Sequence, residues 1–285
     1  VLAPLVFSGR LLDPPSLSSA LLMAAAFCLL ASGGYAWNDL HDEAADRGHP
    51  EKSRRPLPAA RLPRGAAGLL GLMALAAGLS LAAQVARIAP PLGPRGLAAP
   101  GPLDWCWAYV GLTLAYTLVL RRVAGLDVLA LATGFVLRAW AGSAALQLEP
   151  SRWLLACSFC LALFLALGKR RLEASRLGAA TGATRPALAG WSVATLDRLV
   201  DGAALLAGAS YVAYALASDT RAKVGGAWLL VSAPIVLWLV WRVRGRLRRD
   251  AAADPVELLL RDRVALAGLL AWTLLVLAVV YRRPW

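Results

Sequence analysis

The sequence predicts an all-α, polytopic membrane protein, one transmembrane domain over residues 1–285, and three observations carry that reading. Of the 285 residues, 59% are hydrophobic and only 16% charged, where soluble domains run near one half and one quarter. The mean hydropathy is +0.60. Long apolar runs recur along the chain, each near the roughly 20 residues needed to cross a hydrocarbon core. These values exclude a soluble two-domain enzyme, a disordered chain and a disulfide-stapled secreted domain.

Charge, Pro and Gly bound the apolar runs and predict eight crossings, at 15–38, 65–88, 103–120, 126–147, 152–168, 190–217, 224–241 and 264–281. The first opens after Asp13-Pro14 and closes on Asp39; the second runs from Gly65 toward Pro90-Pro91. The third follows Pro102 and stops at Arg121-Arg122, and the fourth ends before Glu149-Pro150. The fifth ends on Lys169-Arg170-Arg171 and the seventh on a basic string from Arg242 to Arg249. Residues 1–9 are apolar but too short to span, and the chain opens on Val rather than Met. They read as the tail of a ninth, truncated helix at a cropped or processed start. No cleavable signal peptide is visible.

Sidedness follows from the Lys and Arg residues. The connections at 39–64, 121–125, 169–189 and 242–263 hold 20 of the 30, against 8 on the opposite side. Cytoplasmic loops carry such an excess, so these four are placed in the cytoplasm, at the inner membrane. The same bias explains the net charge of +13, and no nucleic-acid motif accompanies it. The Arg242–Arg249 string is expected to touch anionic lipid. Cys28, Cys106, Cys157 and Cys160 all lie in or beside apolar runs. The Cys157/Cys160 pair lacks a second pair or a nearby His, so small core residues are the expectation.

The chemistry concentrates after the first span. Five acids fall within residues 39–51. If the helix continues, Asp39, Asp42 and Asp46 sit at i, i+3 and i+7, within about 60° of one another, with Glu43 on the same side. Such a stripe is self-repelling and lies at the wrong end of the helix dipole for anions. A divalent cation removes both penalties, and clustered hard oxygens suit Mg²⁺ bridging to substrate phosphates. His41 and His49 fit hydrogen bonding or packing better than ligation. Lys52 and Arg55 follow closely enough to grip phosphate oxygens that a metal leaves uncovered.

The run NDLHDEAADRGHPEKSRRPLP resembles the NDxxDxxxD signature of the UbiA-type intramembrane prenyltransferase superfamily, and the resemblance extends along essentially the whole chain. It implies a bundle of nine transmembrane helices, the first truncated here, whose Asp-rich helix end binds Mg²⁺ and a substrate diphosphate. The stretch from Tyr116 to Arg122, then Asp127 to Gly142, resembles the second conserved region. Many prenyl-transferring members carry a DxxxD pair there; here Leu131 takes the second place and the pair is broken. Leu167–Glu173 and Asp254–Arg263 resemble the polyprenyl-phosphate phosphoribosyltransferase branch, which serves cell-wall arabinan (arabinogalactan) synthesis. A basic N-terminal segment common in that family is not seen in this chain.

The resemblance therefore implies an Mg²⁺-dependent transferase. It would move 5-phosphoribose from 5-phosphoribosyl 1-diphosphate to a polyprenyl (decaprenyl-type) phosphate at the cytoplasmic face, releasing diphosphate. Asp39, Asp42 and Asp46 are the implied metal ligands and, with Lys169, the catalytic set. Asn38, Lys52, Arg55, Tyr116, Arg121 and Arg170 would surround the donor's phosphates. Asp127, Arg138, Glu173, Arg261 and Arg263 complete the implied substrate-binding set.

The residues bear on several of these roles independently. Arg138 is mid-span, where a bare Arg costs about 2.5–3.5 kcal/mol, and Asp127 lies about 20° away on the same helical face, so both are expected on one cavity wall. Lys169 with Glu173, and Glu257 with Arg261, stand at i, i+4, where local ion pairs form. Asp197, Arg198 and Asp201 read as a self-satisfying cluster. A sugar donor carries a second anion, the 5-phosphate, and the Lys169/Arg170 patch offers it cations; an aromatic prenyltransferase has no such need. The alternatives are prenyl transfer to an aromatic or other small acceptor, and a non-enzymatic transporter or scaffold. Homo-oligomerisation is left open.

Overall fold

The computed structural model describes residues 1–48, 52–89, 100–177, 191–224, 226–249 and 254–282. All regular structure among them is helical. The helices are α1 (Ala3–Phe7), α2 (Pro14–Arg47), α3 (Arg64–Ile88), α4 (Pro102–Leu118), α5 (Leu126–Ala145), α6 (Arg152–Leu177), α7 (Val193–Leu216), α8 (Ser218–Val224), α9 (Ala233–Arg249), α10 (Pro255–Arg261) and α11 (Arg263–Val280). Short 3₁₀ turns cover Lys52–Arg54, Leu120–Arg122 and Ala227–Ser232.

Among the described residues, seven helical stretches are long and apolar enough to cross a membrane. Together they make the chain an integral, multi-pass membrane protein. The expected third span, α4, has 17 residues, about 25 Å of rise and just short of a full hydrocarbon crossing. Residues 1–9 form only the five-residue α1.

Helix α2 positions the acidic stripe. Asp13 caps it by accepting the Ser16 N–H at 3.1 Å, and Pro14 follows in the first turn, where a missing N–H costs nothing. Its 34 residues rise about 51 Å, well beyond a hydrocarbon core of about 30 Å. The last turns, from Asn38 to Arg47, therefore project past the lipid as helix.

The chain forms two compact units. One comprises Val1–Leu5, Leu11–Val119 and Leu137–Glu149; the other comprises Val6–Arg10, Leu120–Val136 and Pro150–Trp285. In the first, α2 and α3 approach closely at small residues: a Cβ on Gly33 would stand 2.7 Å from Leu75 Cγ and 2.8 Å from the Gly71 carbonyl oxygen. Without a hydrophobic drive between helices in lipid, such close backbone packing is what joins them. Met23, Phe27, Leu30, Val85, Cys106 and Tyr109 are buried around that contact.

In the second unit, Phe164, Leu167, Leu172, Val200, Leu247 and Leu258 form the core joining α6, α7, α9 and α10. A separate cluster of the same unit forms around Tyr211, Tyr214, Leu229 and Val276. Tyr211 exchanges a 2.7 Å hydrogen bond with Ser232 and accepts one from Trp272 Nε1 at 2.9 Å.

Candidate functional site

Each unit holds its own polar cluster. In the first, the helical register of α2 brings Asp39 and Asp46 to the same side, and the chain then turns back toward α3. That turn closes locally: the Pro56 carbonyl accepts the Arg61 and Leu62 N–H groups, at 2.9 and 3.2 Å. Leu57 is buried beneath it, and Ala60 takes a left-handed φ of 55°. The turn delivers Arg55 to the acids. Its Nη1 donates to Asp39 Oδ1 at 2.9 Å and to Asp46 Oδ2 at 3.3 Å.

The four expected carboxylates divide among several partners. Asp42 Oδ2 accepts from Asn38 Nδ2 at 3.2 Å. Glu43 is 3% exposed and ties the helix end to Arg47 at 2.5 Å and to Arg64 at 2.7 Å. Glu43 is thus a structural anchor, and Arg64, the first residue of α3, is a partner that sequence reasoning missed. Among the described residues, no three His, Cys, Asp or Glu side chains gather into a metal-ligating group. Mg²⁺ does not need one, because it takes one or two carboxylates and completes its shell with water and substrate phosphate. Asp39 and Asp46, two hard oxygens already converging on one cationic nitrogen, fit that requirement. Lys52 opens the 3₁₀ turn and its side chain lies outside the described residues, as does His49 entirely.

Tyr116, half-buried on α4, also belongs to the first unit. So does Arg138, whose Nη2 donates to the Tyr109 hydroxyl at 2.7 Å while its guanidinium carbon lies 5.0 Å from that ring's centroid. The mid-span cation is held by an aromatic partner, the internal polar link that its position in lipid demands.

The second unit's cluster centres on three consecutive cations at the end of α6, each bound to a different element. Arg170 is 1% exposed, with Nε donating to Asp127 Oδ2 at 2.5 Å and Nη1 to Glu173 Oε2 at 2.8 Å. Arg171 donates to Asp197 at 3.1 Å and to the Leu247 and Arg248 carbonyl oxygens at 2.8 and 3.1 Å, closing the C-terminal end of α9. Lys169 is exposed and pairs with Asp254 at 2.8 Å. The expected Lys169–Glu173 pair is thus replaced by two other pairs. Asp127 and Arg138, both on α5, take different partners, Arg170 and Tyr109.

Asp254 also caps α10 by accepting the Val256 N–H at 3.0 Å. Burial pushes its carboxyl upward, but the Lys169 hydrogen bond, the Val256 N–H and the nearby Lys169 and Arg176 charges outweigh that and hold it below the usual range. The Asp-Pro opening of α10 was the signal for this cap. Arg261 pairs locally with Glu257, as its spacing foretold, and Arg263 is exposed at the start of α11. Arg121, half-buried, sits in the 3₁₀ turn after α4.

The basic string is not a bare lipid anchor. Arg242 grips Asp262 with two hydrogen bonds of 2.7 and 2.9 Å, and Arg246 adds a third at 3.4 Å. Arg244 and Arg248 both hold Asp201, at 2.6 and 2.5 Å. Asp197 and Asp201 are therefore satisfied by neighbouring helices rather than by Arg198, which turns to the Ala194 carbonyl at 3.4 Å. Asp262 caps α11 as well, accepting the Val264 and Ala265 N–H groups. The Arg242 hydrogen bond chiefly, then the Ala265 N–H and the Arg242 and Arg246 charges, hold its carboxyl far below the usual range against burial.

Comparison with known proteins agrees with this architecture. Residues 2–260 match the UbiA prenyltransferase family. The decaprenyl-phosphate phosphoribosyltransferase of Corynebacterium glutamicum is 32% identical over 262 residues, covering 90% of this chain and 74% of that one. The Mycolicibacterium smegmatis protein of the same name is 31% identical over 269 residues, covering 90% and 78%. A solved UbiA homolog from Archaeoglobus fulgidus, bound to GPP and Mg²⁺, shares the fold with a TM-score of 0.68 at 16% identity, over 97% of this chain and 95% of that one. By sequence and by fold, the chain belongs to the UbiA prenyltransferase family.

Proposed function

We propose that this protein transfers 5-phosphoribose from 5-phosphoribosyl 1-diphosphate to a polyprenyl phosphate of the decaprenyl type, with Mg²⁺, at the cytoplasmic membrane face. The observation that carries the reading is the convergence of Asp39 and Asp46 on one cationic nitrogen, beyond the lipid end of α2. The relatives' names supply the sugar donor and lipid acceptor, and the 20-to-8 distribution of Lys and Arg supplies the cytoplasmic side. The whole chain acts as one transmembrane domain.

Mg²⁺ held by Asp39 and Asp46 would neutralise the departing diphosphate as the bond from the anomeric carbon to its oxygen breaks. The transition state is oxocarbenium-like, so what the protein must stabilise is the negative charge developing on the leaving group. Arg55 would contact that same group, with Lys52, three residues earlier in the chain, as a second cation. The lipid phosphate, already anionic near neutral pH, supplies the electron pair for the new carbon–oxygen bond. No general base has to remove a proton, in keeping with a site built of carboxylates and cations. Asn38 steadies Asp42, and Tyr116 is a further group of the same unit for the donor's diphosphate; Arg121, Lys169, Arg261 and Arg263, in the other unit, are the substrate-binding residues that the family resemblance implies. Arg170 serves from inside, holding Asp127 and Glu173 in place.

The test is a competition assay on the purified full chain with Mg²⁺, decaprenyl phosphate, radiolabelled 5-phosphoribosyl 1-diphosphate and a prenyl diphosphate. Label is expected to pass into the lipid phase, and chelator should abolish that transfer. Turnover of the prenyl diphosphate alone, with no labelled lipid phosphate ester, would assign the protein to prenyl transfer instead.

A further inference from the structure

In the second unit, Asp201 ties the start of α7 to the end of α9. Its carboxylate accepts from Arg244 Nε at 2.6 Å and from Arg248 Nη2 at 2.5 Å. On α9, Leu237, Trp241, Arg244 and Arg248 stand at i, i+4, i+7 and i+11, within about 60° of one another. That stripe runs from an exposed leucine through an indole that is 60% exposed to two cations. The Arg244 guanidinium carbon lies 4.3 Å from the Trp241 ring centroid. On α7, Arg198, Gly202 and Leu205 make a second stripe; Arg198 and Leu205 are exposed, and a Cβ at Gly202 would meet nothing within 4 Å. The geometry points to a binding site for the headgroup of an anionic phospholipid on this α7–α9 face, with Arg198, Arg244 and Arg248 as its cations and Trp241 at its lipid edge.

Cations outnumber acids on this face. Asp197 and Asp201 meet Arg171, Arg244 and Arg248, and Arg198 adds a fourth cation. Arg198 donates along its own helix to the Ala194 carbonyl at 3.4 Å, and among the described residues no carboxylate pairs with it. Asp262, the next acid along, is already held by Arg242 and Arg246. Two positive charges therefore lack a carboxylate. A guanidinium carries five N–H groups; Arg244 and Arg248 each give one to Asp201, and the rest suit phosphate oxygens. Trp241 lies where the stripe changes from apolar to charged, the level at which indoles meet lipid headgroups. Leu205 and Leu237 lie on the apolar side of that level, against acyl chains. A zwitterionic headgroup brings its own cation and gains less from the surplus, and a free phosphate has no chains to meet the apolar half of the face. None of these side chains belongs to the site proposed for the sugar donor.

Native mass spectrometry of the full chain, titrated in detergent with phosphatidylglycerol or with phosphatidylcholine of the same acyl chains, reads the affinity for the first bound lipid. The wild type should favour phosphatidylglycerol by about ten- to thirtyfold, the scale of two interfacial cations. Arg198→Gln, which breaks no ion pair, should weaken phosphatidylglycerol about fivefold and leave phosphatidylcholine unchanged. Trp241→Ala should weaken both lipids. Arg61→Gln removes the same charge from an exposed position in the other unit and should change neither. A photoactivatable phosphatidylglycerol should cross-link to α7 or α9, and inorganic phosphate should displace it no better than chloride of equal ionic strength. Unchanged phosphatidylglycerol affinity in Arg198→Gln overturns the site. An equal loss in Arg61→Gln overturns it too, reducing the effect to overall charge, and specific displacement by phosphate would make it a free-anion site instead.

Discussion

Arg170 Nε lies 2.5 Å from Asp127 Oδ2, and the two side chains are 2% and 3% exposed. A cation from the end of α6 is thereby sealed against a carboxylate from the start of α5, with Glu173 of the next helical turn as its second partner. Buried pairs of this kind gain little net stability over apolar residues of similar volume, but removing one partner is costly.

Asp127→Ala should therefore destabilise the protein by about 3–5 kcal/mol, by leaving a buried guanidinium short of its main partner. The double substitution Asp127→Leu with Arg170→Met should recover most of that loss. Thermal unfolding in nanodiscs checks both, and a double variant no more stable than Asp127→Ala would show that the pair does more than balance charge.

Asp39→Asn and Asp46→Asn should each lower turnover by about 10²–10³-fold, the scale of losing one group that stabilises charge developing in the transition state. Membrane insertion and helicity should be normal. Glu43→Gln should behave oppositely, weakening the tie to Arg47 and Arg64 and lowering the melting temperature while kcat stays within a few-fold. The phosphoribosyl-transfer assay, run beside circular dichroism, distinguishes them.

Asp262 predicts a pH dependence. Its folded-state pKa is depressed, so its contribution to stability is fully present above the ordinary carboxylate pKa of about 3.9 and is lost as pH falls toward the folded value. The melting temperature of Asp262→Asn should trail the wild type by a constant margin above about pH 5. The margin should narrow below about pH 4, as the unfolded chain's Asp262 takes up a proton that the folded carboxylate, held by Arg242, does not. Asn keeps an oxygen to cap α11, so the margin reports chiefly the lost charge pairing with Arg242 and Arg246.

Gly33→Val should cost about 1–3 kcal/mol through overpacking, since the α2–α3 contact has no room for a Cβ. Gly202→Ala is the matched control on α7: its Cβ meets nothing within 4 Å, so the change should be neutral or slightly stabilising. Equal losses from both would argue against close helix approach as the cause.

Much of this protein was legible from hydropathy and spacing alone. An apolar run of membrane length has to be helix, because lipid offers no other partner for the backbone. The acids after Asn38 were readable because helical periodicity places Asp39 and Asp46 on one side of α2 whatever the rest of the chain does. Local pairs such as Glu257 with Arg261 followed from the same periodicity.

Partner choice across helices did not follow from it. The Arg242–Arg249 string read as a lipid anchor, yet Arg242 and Arg246 close on Asp262 and Arg244 and Arg248 on Asp201. Lys169 found Asp254 rather than Glu173, and Glu43 left the acidic stripe for Arg64. That helices span the membrane, and which residues share a face, could be read along the chain, since both are set within one helix by backbone geometry and apolar length. Which charge meets which emerges from helix packing, because an ion pair depends on where another helix places its side chain, and that distance is not written in the spacing along either one.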